Sequence, residues 1–360
     1  MFHALLTPLS SVFGPFNLFH YISVRCFGAL LTSLLICFVI GPHVIGWLKR
    51  HQGYGQPIRD DGPVRHVLTK RGTPTMGGSM ILLSTLPSVL LWVDVSNLYV
   101  WITIGVMLAF ACIGGMDDYH KIKQLSHRGL RGRTRLLLES AVVVAAAFVL
   151  YSYTDYSSEL LFPFFKDISL DIGLWSIPFM VLVITGSANG VNLTDGLDGL
   201  AIVPLMFCLA CFLVIAWVVG NVVLSSYLQL TYVAESGELA VLCAAMIGAC
   251  LGFLWYNAPP AMVFMGDMGA LSLGSALGCI AVIAKHEFVL VIVGGVFVLE
   301  TVSVIVQVLS YKLTGRRVFL MAPLHHHYEQ KGWQEATIVI RFWIISAILT
   351  LLGLASLKIR

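Results

Sequence analysis

Five short clusters in this chain combine residue types that do chemistry. Met116-Asp117-Asp118 sets two adjacent carboxylates just before His120 and Lys121. Asn192-Leu193-Thr194-Asp195-Gly196-Leu197-Asp198-Gly199 holds two more among glycines. Phe264-Met265-Gly266-Asp267-Met268-Gly269 places a lone carboxylate between glycines. Met321-Ala322-Pro323-Leu324-His325-His326-His327-Tyr328-Glu329 carries three consecutive histidines, and Lys70-Arg71-Gly72-Thr73-Pro74-Thr75 offers two cations and two hydroxyls. Carboxylates suit a hard divalent cation such as Mg²⁺, which also takes phosphate oxygens. Glycine-flanked loops expose backbone N–H groups to anions, and Lys, Arg and His donate to phosphate. The chemistry these types support together is phosphoryl transfer.

Each cluster also has a plainer reading. Asp118 and Lys121 can pair at i,i+3 on a solvated helix end. Residues 192–199 can be an ordinary turn, and Asp267 can cap the apolar run that follows it. The histidines can be a solvated run, and Lys70 and Arg71 can anchor a membrane segment. Zinc is disfavoured because no cysteine lies near the histidines, and the Asp spacing lacks the remaining ligands of an EF-hand. The case for a site rests on all five clusters meeting on one face. Carboxylates gathered there repel by about 4 kcal/mol per pair at 4 Å and an effective dielectric of 20, unless a cation sits among them.

The elements that must bring them together are membrane helices. Of 360 residues, 58% are hydrophobic and 11% charged, against roughly 25% charged in soluble domains. Runs of about 20 apolar residues span a bilayer. Ten occur, near 19–48, 75–93, 99–115, 136–153, 173–191, 200–219, 237–256, 269–284, 288–311 and 338–357. The expected fold is an all-α integral membrane protein of about ten transmembrane helices, forming a single polytopic membrane domain over 1–360. All eight cysteines lie in apolar runs, Cys208 and Cys211 included, and read as packing residues. No basic region and cleavage site marks a removable signal peptide. Lys and Arg concentrate in 49–74, 116–135 and 312–337, whereas 154–172 is acidic. The positive-inside rule puts the basic loops in the cytoplasm. Segments 192–199 and 256–268 then share that face, and both termini lie outside.

Read together, residues 116–118, 192–199, 264–267 and 321–327 resemble the polyprenyl-phosphate N-acetylhexosamine-1-phosphate transferases. Within that family they look like the phospho-N-acetylmuramoyl-pentapeptide transferases. The likeness runs from about residue 19 to residue 360, with the motifs in order. It implies ten transmembrane helices, periplasmic termini, a cytoplasmic active site and a homodimer in the bacterial inner membrane. The implied reaction passes phospho-MurNAc-pentapeptide from UDP-MurNAc-pentapeptide to undecaprenyl phosphate. It gives lipid I and UMP, requires Mg²⁺, and is the first membrane step of peptidoglycan synthesis. Carried over by position, Asp267 ligates the metal. Asp117 and Asp118 act on the lipid phosphate or support the metal, with Asp117 as the general base. His325 contacts the diphosphate or assists catalysis. Lys70, Thr75, Lys121, Asn192, Asp195, Asp198, Asn257, Phe264, Gln307 and His326 line the substrate pocket, with Phe264 stacked on uracil.

Two other readings use the same features. A sibling enzyme passing GlcNAc-1-phosphate to the same lipid would need the same aspartates. A transporter would carry ionisable residues near the bilayer midplane and often inverted repeats. Here the carboxylates fall at run ends and no repeat occurs, Glu300 and Gln307 in the ninth run being the exceptions. No nucleic-acid partner is expected.

Overall fold

The computed structural model describes residues 1–11, 13–53, 55, 72–124, 126, 129–165 and 168–358. Ten long helices form the body. They are α1 (Ile22–Gln52), α2 (Gly78–Trp92), α3 (Leu98–Lys123), α4 (Gly132–Tyr153), α5 (Ser176–Thr194), α6 (Ile202–Val219), α7 (Glu238–Asn257), α8 (Gly266–Ile283), α9 (Gly295–Thr314) and α10 (Glu335–Ser356). Among the described residues nine of these are long and apolar enough to cross a membrane, and α2, at 15 residues, is shorter. The chain is an all-α integral membrane protein.

The short α2 departs from the expected run at 75–93, because Thr73 to Gly77 are not helical. This stretch pairs with an equally irregular one before α8. The Phe264 N–H donates to the Pro74 carbonyl (2.9 Å), Gly77 N–H to Phe264 (2.8 Å) and Gly78 N–H to Met265 (2.9 Å). Irregular backbone inside a membrane protein is tolerated where protein groups satisfy it. The ninth run also differs. It divides into a short helix, Glu287–Val293, and α9, with Gly294 between them. The acidic 154–172 loop contains a small antiparallel hairpin, Glu159–Leu161 with Ser169–Asp171.

Helix α8 is the hub, buried at every residue from Gly269 to Ile283. Small residues let neighbours close on it, as is usual between membrane helices. A Cβ on Gly274 would stand 2.7 Å from the Ala188 Cα, and one on Gly278 would stand 2.9 Å from the Ile184 Cα, both on α5. On α1 the buried residues Arg25, Ala29, Ser33, Cys37, Gly41, Ile45, Leu48 and Gln52 recur every three or four positions. They form one face of the helix. That face meets α7 at its glycines: a Cβ on Gly252 would stand 2.6 Å from the Cys37 Cβ. The cysteines are all free, and Cys208 and Cys211 are fully buried, as packing residues should be.

At the end of the bundle away from the aspartates, an ion pair ties three helices together. Arg25 of α1 donates to Glu238 of α7 through Nη1 (2.7 Å) and Nη2 (2.6 Å). The same carboxylate accepts the Asp94 N–H, just past α2, at 2.8 Å. Removing one partner of a buried pair costs about 3–5 kcal/mol. Arg25→Met is therefore expected to lower the thermal unfolding temperature in detergent clearly. An unchanged unfolding temperature would show that the clamp contributes nothing.

Candidate active site

The opposite end collects the C-termini of α3 and α5, the N-termini of α4 and α8, and the segment after α9. Asp117, Asp118 and Lys121 share the last turns of α3. Lys121 Nζ lies 2.6 Å from Asp117 Oδ2 and 2.9 Å from Asp267 Oδ2, bridging α3 to α8. The two carboxylates thus meet at one ammonium. The other oxygen of Asp117 accepts the Leu130 N–H at 2.5 Å, which folds the loop before α4 back over the site.

Asp118 and Asp267 divide the work at the start of α8. Asp118 is almost wholly buried and its Oδ2 accepts the Met268 N–H at 3.1 Å. An α-helix leaves its first N–H groups without internal partners, and Asp118 satisfies one from outside the helix. Asp267 occupies the first turn of α8, but its carboxylate turns away from that helix toward Lys121 and Arg135 (3.4 Å to Nη1). The capping role that the sequence suggests for Asp267 thus falls to Asp118, which leaves Asp267 aimed at cations. Gly266 makes this possible. Its φ is +73°, and an added Cβ would stand 2.5 Å from Thr75 Oγ1 and 2.6 Å from Asp118 Oδ2. Thr75 is buried here, and among the described residues its Oγ1 has no hydrogen-bond partner.

Behind Asp267 stands a network that spacing alone does not disclose. Arg135 Nη2 donates to Asn189 Oδ1 (2.7 Å), Asn189 Nδ2 donates to Glu139 Oε2 (2.7 Å), and Arg135 Nε faces Glu139 Oε1 (3.5 Å). Glu139 is fully buried. Its signal in the sequence is that it is a lone acidic residue inside the apolar run 136–153. An ionisable group in such a run is costly and marks a functional partner.

The remaining expected residues form two further groups. Asn257 Oδ1 accepts the Gly199 N–H (3.0 Å) and Nδ2 donates to the Val263 carbonyl (2.9 Å), while Asp198 Oδ2 accepts the Ala261 N–H (3.1 Å). These bonds lock 198–199 against 257–263, next to Phe264. Asn192 and Asp195 are half-buried at the end of α5. Gln307 accepts the Val318 and Phe319 N–H groups, both at 2.9 Å, and holds the segment after α9. Lys70 lies outside the described residues.

The histidine run is not a uniformly solvated one. His325 is fully buried, with Nδ1 3.2 Å from Glu300 Oε1. His326 Nδ1 pairs with Glu329 Oε2 at 2.6 Å, and His327 Nδ1 accepts the Leu320 N–H at 3.1 Å. Partial burial and then the Lys331 ammonium hold the His327 ring below the ordinary imidazole range, in keeping with a neutral acceptor. Helix α5 links this group to the first, because Asn189 meets Arg135 and Gly196, just beyond its end, abuts His325.

Among the described residues no three His, Cys, Asp or Glu side chains converge on a closed metal cage. What they form is a pair of carboxylates around the Lys121 ammonium, with the Arg135 guanidinium on the Asp267 side. That arrangement can bind a phosphorylated ligand together with a divalent ion, and it can hold or accept a proton at a carboxylate. A model of glycosyl transferase family 4 matches residues 100–285. The match contains Asp117, Asp118, Arg135, Glu139, Asn189, Asp195, Asp198, Asn257 and Asp267, and it stops before Glu300 and His325.

Proposed function

Since the chain belongs to glycosyl transferase family 4, and so transfers a phosphosugar to a polyprenyl phosphate, we propose that its donor is UDP-MurNAc-pentapeptide. Its acceptor is undecaprenyl phosphate, and the products are lipid I and UMP. The observation that supports phosphosugar transfer, common to the muramoyl and GlcNAc branches, is the Asp117–Lys121–Asp267 bridge beside Asp118. The end of the bundle that holds this bridge faces the cytoplasm of a bacterial inner membrane, both termini face the other side, and the enzyme acts as a homodimer. The resemblance of 321–329 to the muramoyl branch favours the muramoyl donor over the GlcNAc sibling.

Mg²⁺ fits the donor set. It is bound through one or two carboxylates plus water and substrate phosphates, not by an all-protein cage, and Asp267 would hold it, next to Asp117. When bound, such an ion neutralises charge on the transferring phosphoryl group. In the reaction an oxygen of the lipid phosphate attacks the sugar-linked phosphorus. The bond to the uridylate phosphate breaks, and UMP leaves with the electron pair. Asp117 accepts a proton from the lipid phosphate, while Lys121 and Arg135 offset the anionic charge. Phe264 stacks on the uracil. Thr75, Asn192, Asp195, Asp198, Asn257, Gln307 and His326 complete the pocket, and the isoprenoid tail stays in hydrocarbon.

Donor identity is tested by offering radiolabelled UDP-MurNAc-pentapeptide and UDP-GlcNAc separately with undecaprenyl phosphate. Label is expected in the lipid fraction with the first donor. Label from UDP-GlcNAc alone would assign the chain to the sibling reaction. The cation position has a separate test. Lys121→Met removes the bridge and leaves facing carboxylates, whose repulsion is about 4 kcal/mol at 4 Å and an effective dielectric of 20. The variant is expected to unfold at lower temperature than wild type and to recover more of that loss on adding Mg²⁺ than wild type gains. Equal responses to Mg²⁺ would count against a divalent site between Asp117 and Asp267.

A further inference from the structure

Glu300 is the one carboxylate of α9, and it is fully buried. A buried ionisable group on a membrane helix is costly, so its partners matter. Its Oε2 accepts the Leu324 N–H at 2.6 Å, and its Oε1 accepts the His325 N–H at 3.2 Å. Oε1 also lies 3.2 Å from His325 Nδ1. Both oxygens are therefore already acceptors, as an ionised carboxylate would be. A bare Nδ1 lone pair facing Oε1 would be repelled, so the proton between them belongs on the ring.

The far side of the ring shows the opposite condition. His325 Nε2 is buried and has no hydrogen-bond partner among the described residues. An unsatisfied buried polar atom costs about 1–3 kcal/mol, and in native proteins it calls for a ligand, a water or a catalytic role. Nε2 lies against Gly196, where any Cβ would overlap it. The loop between the two aspartates of the second cluster is thus shaped around this nitrogen.

We propose that Glu300 is a positioning residue for His325, holding the proton on Nδ1 so that Nε2 is the ring atom offered to a phosphate oxygen of the substrate. As the phosphate enters, Nε2 takes up a proton from solvent and donates that N–H to the phosphate oxygen, with the carboxylate on Nδ1 holding the ring in line. A carboxylate behind an imidazole fixes tautomer and orientation in this way in metal sites and in hydrolase triads. The identity of the ligand rests on the reaction proposed above; the tautomer does not.

The test reads the two separately. In ¹⁵N-histidine-labelled protein in detergent, with His325 assigned by comparison with His325→Gln, Nδ1 is expected to resonate as the protonated nitrogen. An unprotonated Nδ1 in the wild-type protein would overturn the proposal, whatever the variants do. Glu300→Gln, whose amide can donate to Nδ1, is expected to move the proton to Nε2 and to lower kcat on the order of 10²-fold. Glu300→Asp, which keeps the carboxylate, should recover part of that loss. Glu300→Gln added to His325→Gln should cost nothing further; multiplied losses would mean that Glu300 acts on its own. A normal tautomer signature with no phosphosugar transfer by wild type would leave the pair standing and dismiss the reaction instead.

Discussion

Asp267→Asn is expected to lower UMP release on the order of 10³-fold, about 4 kcal/mol of transition-state stabilisation, while the protein stays folded. Asparagine keeps the size of the side chain but removes the charge that Lys121 and Arg135 approach at 2.9 and 3.4 Å. The scaffold has other ties. Lys121 retains Asp117, Arg135 retains Asn189 and Glu139, and Asp118 still satisfies the Met268 N–H. A near-normal elution profile and unfolding temperature should accompany the loss. Wild-type turnover in this variant would remove Asp267 from the chemistry.

Gly266→Ala should be nearly as damaging by a different route. A left-handed backbone costs a non-glycine residue about 1–2 kcal/mol. Here the new methyl would also press on Thr75 Oγ1 and Asp118 Oδ2, at 2.5 and 2.6 Å. Asp118 cannot yield without releasing the α8 N-terminus, and that terminus carries Asp267. A misplacement of about 1 Å at a reacting centre can cost 10²-fold in rate, and a loss of about that size is expected along with a lower unfolding temperature. Gly105→Ala on α3 is the control, because nothing lies within 4 Å of its added Cβ. Equal effects of the two substitutions on turnover would refute the steric argument.

Much of this was legible in the residues before any coordinates. Apolar run length marks the membrane helices, because a bilayer imposes one length on every span. The aspartate pair on α3 and Asp267 at the start of α8 stand out because carboxylates at span ends are uncommon. Three features were not legible, each for a physical reason. Which aspartate caps α8 depends on how closely α3 approaches it, and that is set by glycines distant in sequence. Arg135 reads as a topological anchor until Asn189, 54 residues away, is seen to meet it. The His325–Glu300 pairing needs the segment after α9 to fold back on its own helix, so identical neighbours in a histidine run acquire three different partners. The hairpin at 159–171 and the break at Gly294 are local irregularities that hydropathy averages away.

The most direct test of the central claim is UMP release by the purified protein, with undecaprenyl phosphate, UDP-MurNAc-pentapeptide and Mg²⁺ each omitted in turn. Release that requires all three, with labelled sugar recovered in the lipid, is the predicted result. Release without the lipid would mean that water is the acceptor, and no release from folded protein with either sugar nucleotide would contradict the transferase account.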